Sequence, residues 1–169
     1  PKVALALLAG IGLTIAGQLF QTLLNNPLAD SFTLGLASGA TFGSGLATVL
    51  GLSFVLIPLS SIAFSLITLA LVLMLTTMMS RGYPSKTLIL AGIMIGALFN
   101  AFLYVLIVFN QTRMNRIVNY MFGGFEAAEY NKVIYIALVL SGCLLLLALM
   151  IHKIKILQLG DLSAQALGL

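Results

Sequence analysis

Nucleophilic or metal chemistry in this sequence would have to run through His152, its sole histidine, and Cys143, its sole cysteine. A zinc centre needs three or four His, Cys or carboxylate ligands, and a hydrolytic triad needs a nucleophile within reach of a histidine. His152 stands beside Lys153 where an apolar run gives way to polar residues, which suits a cation at a helix C-terminus. Cys143 lies inside an apolar run and reads as a small hydrophobe; a lone cysteine also excludes an internal disulfide. No glycine-rich loop ends in Gly-Lys-Ser/Thr, so no nucleotide-binding P-loop is expected. Gly43-x-Gly45 lacks the third glycine and the preceding strand of a dinucleotide site and reads as packing. The chain is therefore expected to be no enzyme, with no catalytic residue, metal ligand or bound cofactor.

Amides are the polar groups at depth. Gln18 and Gln21 fall near the end of the first apolar run, and Asn100 near the middle of the fourth. In hydrocarbon an amide must find partners, so each either bonds between helices or faces a water-filled path. Ser60 and Ser61 could bond back to the preceding helical turn, and no role is assigned to them. No Asp, Glu, Lys or Arg lies inside a span, which weakens a proton- or voltage-driven carrier. Sodium coupling could still use hydroxyls and carbonyls.

The elements that hold these groups follow from composition. Of 169 residues, 61% are hydrophobic and 7% charged, and the mean hydropathy is +1.16. Soluble domains carry about 25% charged residues, so this apolar excess must face lipid. The net charge of +4 is scattered over loops without a basic run, which excludes a nucleic-acid surface. The runs predict an all-α integral membrane protein, a polytopic bundle of about five transmembrane helices over about 3–24, 33–51, 53–79, 87–109 and 133–151. Asn25-Asn26-Pro27 stops the first, and Arg81 to Lys86 is a short polar turn. The chain opens at Pro1-Lys2 without an initiator methionine or charged leader, as if numbering begins inside a longer gene product.

Charge does not orient the bundle. With the tail inside, Arg81, Lys86, Lys153 and Lys155 oppose Lys2, Arg113, Arg116 and Lys132, which is a tie. Glycine is more informative. Gly35, Gly39 and Gly43 recur at every fourth position, and Gly92 and Gly96 repeat the pattern with Ala97 and Ala101 beside them. Helices in lipid associate through close backbone approach at small residues, so a tightly packed bundle is expected. The interval from Asn110 to Lys132 carries Arg113 and Arg116 before an apolar stretch and suits a short helix in the interface. In the tail, Asp161 is a good N-cap and Gly168 a good C-terminal stop, with Leu162, Ala166 and Leu167 on one apolar face. Such a helix either docks into another protein or is an ordinary amphipathic connector.

Several stretches together resemble one family. Gly17-Gln18, Asn26-Pro27-Leu28-Ala29-Asp30, Leu34-Gly35 and Ser38-Gly39-Ala40 are similar to its hallmark. Pro1-Lys2 resembles the end of an Arg-x-Pro-Arg motif, and Leu88-Ile89-Leu90-Ala91-Gly92 the start of a pathway-lining helix. Tyr120-Met121-Phe122-Gly123-Gly124-Phe125 resembles an outer-loop Trp-x-x-Gly-Gly/Ser motif. Leu159-Gly160-Asp161 through Leu167-Gly168-Leu169 resembles a coupling-helix motif. The family is the FecCD/BtuC-type permeases of bacterial ABC importers, which take up iron-siderophores, haem and cobalamin.

The resemblance implies a ten-helix permease in the cytoplasmic membrane, of which this chain would be the first half without the opening helix. It implies a homodimer, or a pair with a related second permease, in contact with lipid, an extracytoplasmic substrate-binding protein and separate ATPase subunits on which ATP acts. Asn26, Pro27 and Leu28 would form a cytoplasmic gate. Gly92, Gly96 and Asn100 would lie on the translocation path. Lys2 would dock the binding protein, and Gly160, Asp161, Leu162, Ser163, Ala166, Leu167 and Gly168 would form the coupling helix on the ATPase. Lys2 keeps the charge of the usual arginine but loses its bidentate fork. Asn119-Tyr120 stands where tryptophan is usual, and Asn25 replaces the commoner arginine. A bulky chelate moved by ATP-driven alternating access is the expected function; an ion-coupled secondary transporter is the alternative.

Overall fold

The computed structural model describes residues 1–53, 55–79, 85–125 and 128–157. The regular structure among them is helical: α1 (Lys2–Leu23), α2 (Leu36–Val49), α3 (Leu56–Met79), α4 (Ser85–Phe109), a 3-10 turn (Gln111–Arg113), α5 (Met114–Phe122) and α6 (Tyr130–Leu157). Four of these helices are long and apolar enough to cross a membrane: Lys2–Leu23, Leu56–Met79, Thr87–Phe109 and Tyr130–Ile156. Helix α2 is the exception to the expected five. Its 14 residues reach about 21 Å at 1.5 Å per residue, short of a hydrocarbon core about 30 Å thick.

Glycine sets both ends of α2. Gly35 (φ 71°) precedes it in the left-handed region, where a side chain would be strained. At the far end Gly51 is also left-handed. Its N–H donates to Thr48 O at 3.2 Å, and the Leu52 N–H donates to Ala47 O at 3.0 Å. This pair of bonds is the Schellman stop. Elsewhere the boundaries moved modestly. Helix α3 begins at Leu56, with Pro58 in its first turn, where no intrahelical N–H is needed. Helix α6 continues past His152 to Leu157.

Two compact units divide the chain. One comprises Pro1–Ala29 with Phe125–Leu169, and the other Asp30–Gly124. The first packs α1 against α6 and leaves most of both helices uncovered, with Leu13, Leu138, Leu145 and Leu149 exposed. Side chains of this kind belong against lipid or further helices.

The second unit is built on α2. Gly39 and Gly43 turn to α3, where an added Cβ at Gly43 would stand 2.6 Å from Ser60 O, and one at Gly39 would collide with Thr68 Oγ1. The Ser60 hydroxyl donates to Gly43 O at 2.8 Å, so it bonds between helices and not to its own turn. Ser65 Oγ reaches Leu36 O at 3.3 Å in the same way. Buried Thr68 and Thr76 return their hydroxyls to Phe64 O and Val72 O, each at 2.7 Å, which pairs both groups in an apolar setting. Phe42 of α2 meets Phe64 of α3 edge to face at 5.1 Å, and Phe99 and Phe102 of α4 at 5.4 and 6.1 Å. These rings lock three helices around one cluster.

Candidate functional site

The Asn-Pro-Leu-Ala-Asp segment is a chain of local backbone devices. Helix α1 stops because Asn25 adopts φ 47°, a conformation that asparagine tolerates better than most side chains. The Asn26 N–H then donates to Gln21 O at 3.0 Å and the Asn25 N–H to Thr22 O at 3.3 Å, a second Schellman stop. A larger basic residue at position 25 would carry more strain, which gives this chain's asparagine a structural reason. Asn26 next closes a turn over Pro27. Its Oδ1 accepts the Leu28 N–H at 2.9 Å, and its carbonyl accepts the Ala29 N–H at 3.1 Å. Proline presets the backbone at the second position of such a turn. Asn26, Pro27 and Leu28 are thus brought together, with Leu28 78% exposed at the tip.

Asp30 opens the next device. Its Oδ1 accepts the Phe32 N–H at 2.9 Å and the Thr33 N–H at 2.7 Å, while Thr33 Oγ1 accepts the Asp30 N–H at 2.9 Å. This reciprocal Asp-x-x-Thr cap orders residues 30–35 ahead of α2. The Asp30-x-x-Thr33 spacing is the sequence signal that marks such a cap.

The expected path residues separate. Gly92 and Gly96 are buried and serve close packing. A Cβ on Gly92 would collide with Thr33 O and stand 2.7 Å from Leu34 Cα, and one on Gly96 would stand 3.2 Å from Gly35 Cα. Only Asn100 of the three is exposed, along with Ala97, Ala101 and Tyr104 further round α4. Gln18 is exposed and Gln21 half-buried. Lys2 is exposed at the start of α1. The tail motif, residues 160–168 with Asp161, Leu162, Ser163, Ala166 and Leu167, lies outside the described residues.

Helix α5 fulfils the expectation of a short amphipathic element. Ile117 is 1% exposed, whereas Asn115, Arg116 and Asn119 are exposed. One contact there was not visible beforehand. Arg113 Nη1 donates to Thr48 O at 2.8 Å and to Val49 O at 2.7 Å. No sequence spacing links positions 65 residues apart, so only the fold reveals it.

Similarity to known proteins extends over this whole arrangement. Against a permease of an uncharacterized ABC transporter of Bacillus subtilis the chain is 34% identical over 174 residues, covering 99% of itself and 49% of that protein. The vitamin B12 import system permease protein BtuC of Escherichia coli is 32% identical and is covered to 52%, with all of this chain aligned. The molybdate import system permease protein MolB of Haemophilus influenzae is 29% identical, with 99% and 50% covered. A solved structure described as an inward-facing conformation of a metal-chelate type ABC transporter superposes with a TM-score of 0.86 at 29% identity. All of this chain and 54% of that one are covered. The chain therefore spans about half the length of the relatives it matches. The model of the FecCD transport family matches residues 1–169. From the first residue to the last, this chain belongs to the FecCD transport family.

Proposed function

We propose that the chain forms half of the permease subunit of a binding-protein-dependent ABC importer. Such a subunit is a multi-pass protein of the inner membrane, and its four long apolar helices fit that location. The observation that carries the reading is the family match over the whole chain. In this reading the chain transports and does not catalyse. ATP acts on a separate ATPase, which docks the tail helix around Asp161 to Leu167. The Asn26–Leu28 turn closes the cytoplasmic side, and a short, internally bonded turn suits a gate because it can move as one piece. Helix α4 faces the path through its exposed side, at Asn100. A second permease subunit completes the cavity.

The cargo is a bulky metal chelate of the iron-siderophore, haem or cobalamin type. Relatives named as vitamin B12 and molybdate import system permeases support import more strongly than any one ligand. Alternating access supplies the mechanism. The binding protein delivers its ligand to the outer mouth, closure of the ATPase pair shifts the tail helices, and the gates exchange.

Lys2 offers a direct test of the outer docking surface. An exposed cation facing a carboxylate of the binding protein steers association, so Lys2→Glu replaces attraction with repulsion. The expected result is a binding-protein affinity weakened about tenfold, or ~1.4 kcal/mol, with a smaller difference at high salt. Affinity equal to that of the parent at low salt would contradict the docking role.

A further inference from the structure

Helix α5 packs mainly against α2, with Val118 and Met121 half-buried beside Ile117. It is a short helix with a polar face exposed, and Ile117 is its buried side chain, lying 3.5 Å from where a Cβ on Gly45 of α2 would be. A polar attachment is added by Arg113, in the 3-10 turn that immediately precedes α5. Its guanidinium Nη1 donates to the carbonyls of Thr48 and Val49, the last turn of α2. The Schellman bonds there consume the carbonyls of Ala47 and Thr48, so Arg113 takes up Val49 O and the second lone pair of Thr48 O. Gly51 makes room for it, since a Cβ there would stand 3.2 Å from Arg113 Nη1.

Three features point the same way. The C-terminal end of a helix carries partial negative charge, which a cation complements. Hydrogen bonds from an ionised donor are stronger than neutral ones. Near the edge of a bilayer, carbonyls without a partner are more costly than in bulk water. The contact is also conditional, because it joins segments far apart in sequence and reaches backbone acceptors at the end of a helix too short to span.

We infer that Arg113 is a positioning residue, a clasp that ties α5 to the C-terminal end of α2 and so makes the two move together. This rests on the proposed reading only in its consequence, namely that α5 lies at the outer mouth and that its position matters for transport. The clasp itself is independent of what the protein carries. Arg116, three residues on and exposed, takes no part in it.

The test uses the full-length permease with its ATPase in lipid nanodiscs, as the Arg113 protein and as the R113K and R113Q variants. Hydrogen exchange over 114–122 is expected to be at least about tenfold faster in R113Q, the factor that ~1.4 kcal/mol of lost protection gives. R113K keeps the cation without the planar fork and should fall between the two, which tests the clasp even if R113Q assembles poorly. ATP hydrolysed per molecule of ferric siderophore, haem or cobalamin accumulated in proteoliposomes, each offered in turn, should rise about threefold or more in R113Q and be substantially restored in R113K, as a charge-dependent contact requires. Unchanged exchange over 114–122 in R113Q overturns the clasp, whatever the chain transports. Faster exchange with unaltered ATP use per chelate overturns the positioning role. Faster exchange in a protein that shows no ATP-dependent uptake even with Arg113 supports the clasp and contradicts the importer instead.

Discussion

Gly92→Val is expected to destabilise the full-length permease, lowering its thermal midpoint in detergent by roughly 3–6 °C. The first atom of any side chain at this position would meet Thr33 O and, at 2.7 Å, Leu34 Cα. Both are backbone atoms in a segment already tied by the Asp30 cap and by the left-handed Gly35, so neither can step aside. Overpacking costs about 1–3 kcal/mol where neighbours adjust, and here the upper end applies. At about 1–2 °C per kcal/mol for a protein of about twice this chain's length, the stated shift follows. Gly45→Ala is the matched control. Its Cβ would stand 2.8 Å from Leu103 Cδ1, the end of a flexible side chain, and 3.5 Å from Ile117 Cγ2. That substitution should cost less than about 1 kcal/mol. Equal midpoints for the two variants would contradict the role given to Gly92.

Leu162→Asp is expected to remove the ATPase from the purified complex. In the proposed reading Leu162 lies on the apolar face of the tail helix and enters a groove on the ATPase. A carboxylate there is buried without a partner, which costs far more than the loss of an apolar contact. Assembly should weaken about 100-fold, or ~2.7 kcal/mol, enough to lose the ATPase on a sizing column at micromolar concentration. Leu162→Met conserves volume and should co-purify normally. Retention of the ATPase at parental stoichiometry by Leu162→Asp would show that this face is a connector and not a docking element.

What could be read from the sequence follows the physical range of each signal. The long helices were legible because hydrocarbon demands uninterrupted apolar runs, and because charges, Asn25-Asn26-Pro27 and the polar turn at 81–86 bracket them. The glycine stripe announced close packing, and Gly39 and Gly43 do meet α3. The same glycines concealed the length of α2. Apolar character extends from 33 to 51, but whether a glycine sits in a helix or in the left-handed region is decided by its neighbours, and Gly35 and Gly51 took the second course. Gly92 and Gly96 show the same ambiguity between packing and pathway, since a bare surface serves either use. Back-bonding is the local option for Ser60; its bond to Gly43 O depends on a helix–helix approach that no local pattern encodes. Arg113 was counted only as a charge, because its acceptors are backbone carbonyls and leave no trace in residue type.

The central claim is ATP-driven import, and uptake into proteoliposomes tests it most directly. The vesicles hold the full-length permease with its ATPase, internal ATP is supplied or withheld, and the binding protein is added outside with labelled ferric siderophore, haem or cobalamin in turn. The account predicts accumulation of one chelate that requires both ATP and the binding protein. Uptake indifferent to ATP but abolished by collapsing an ion gradient would contradict it and make the chain part of a secondary transporter.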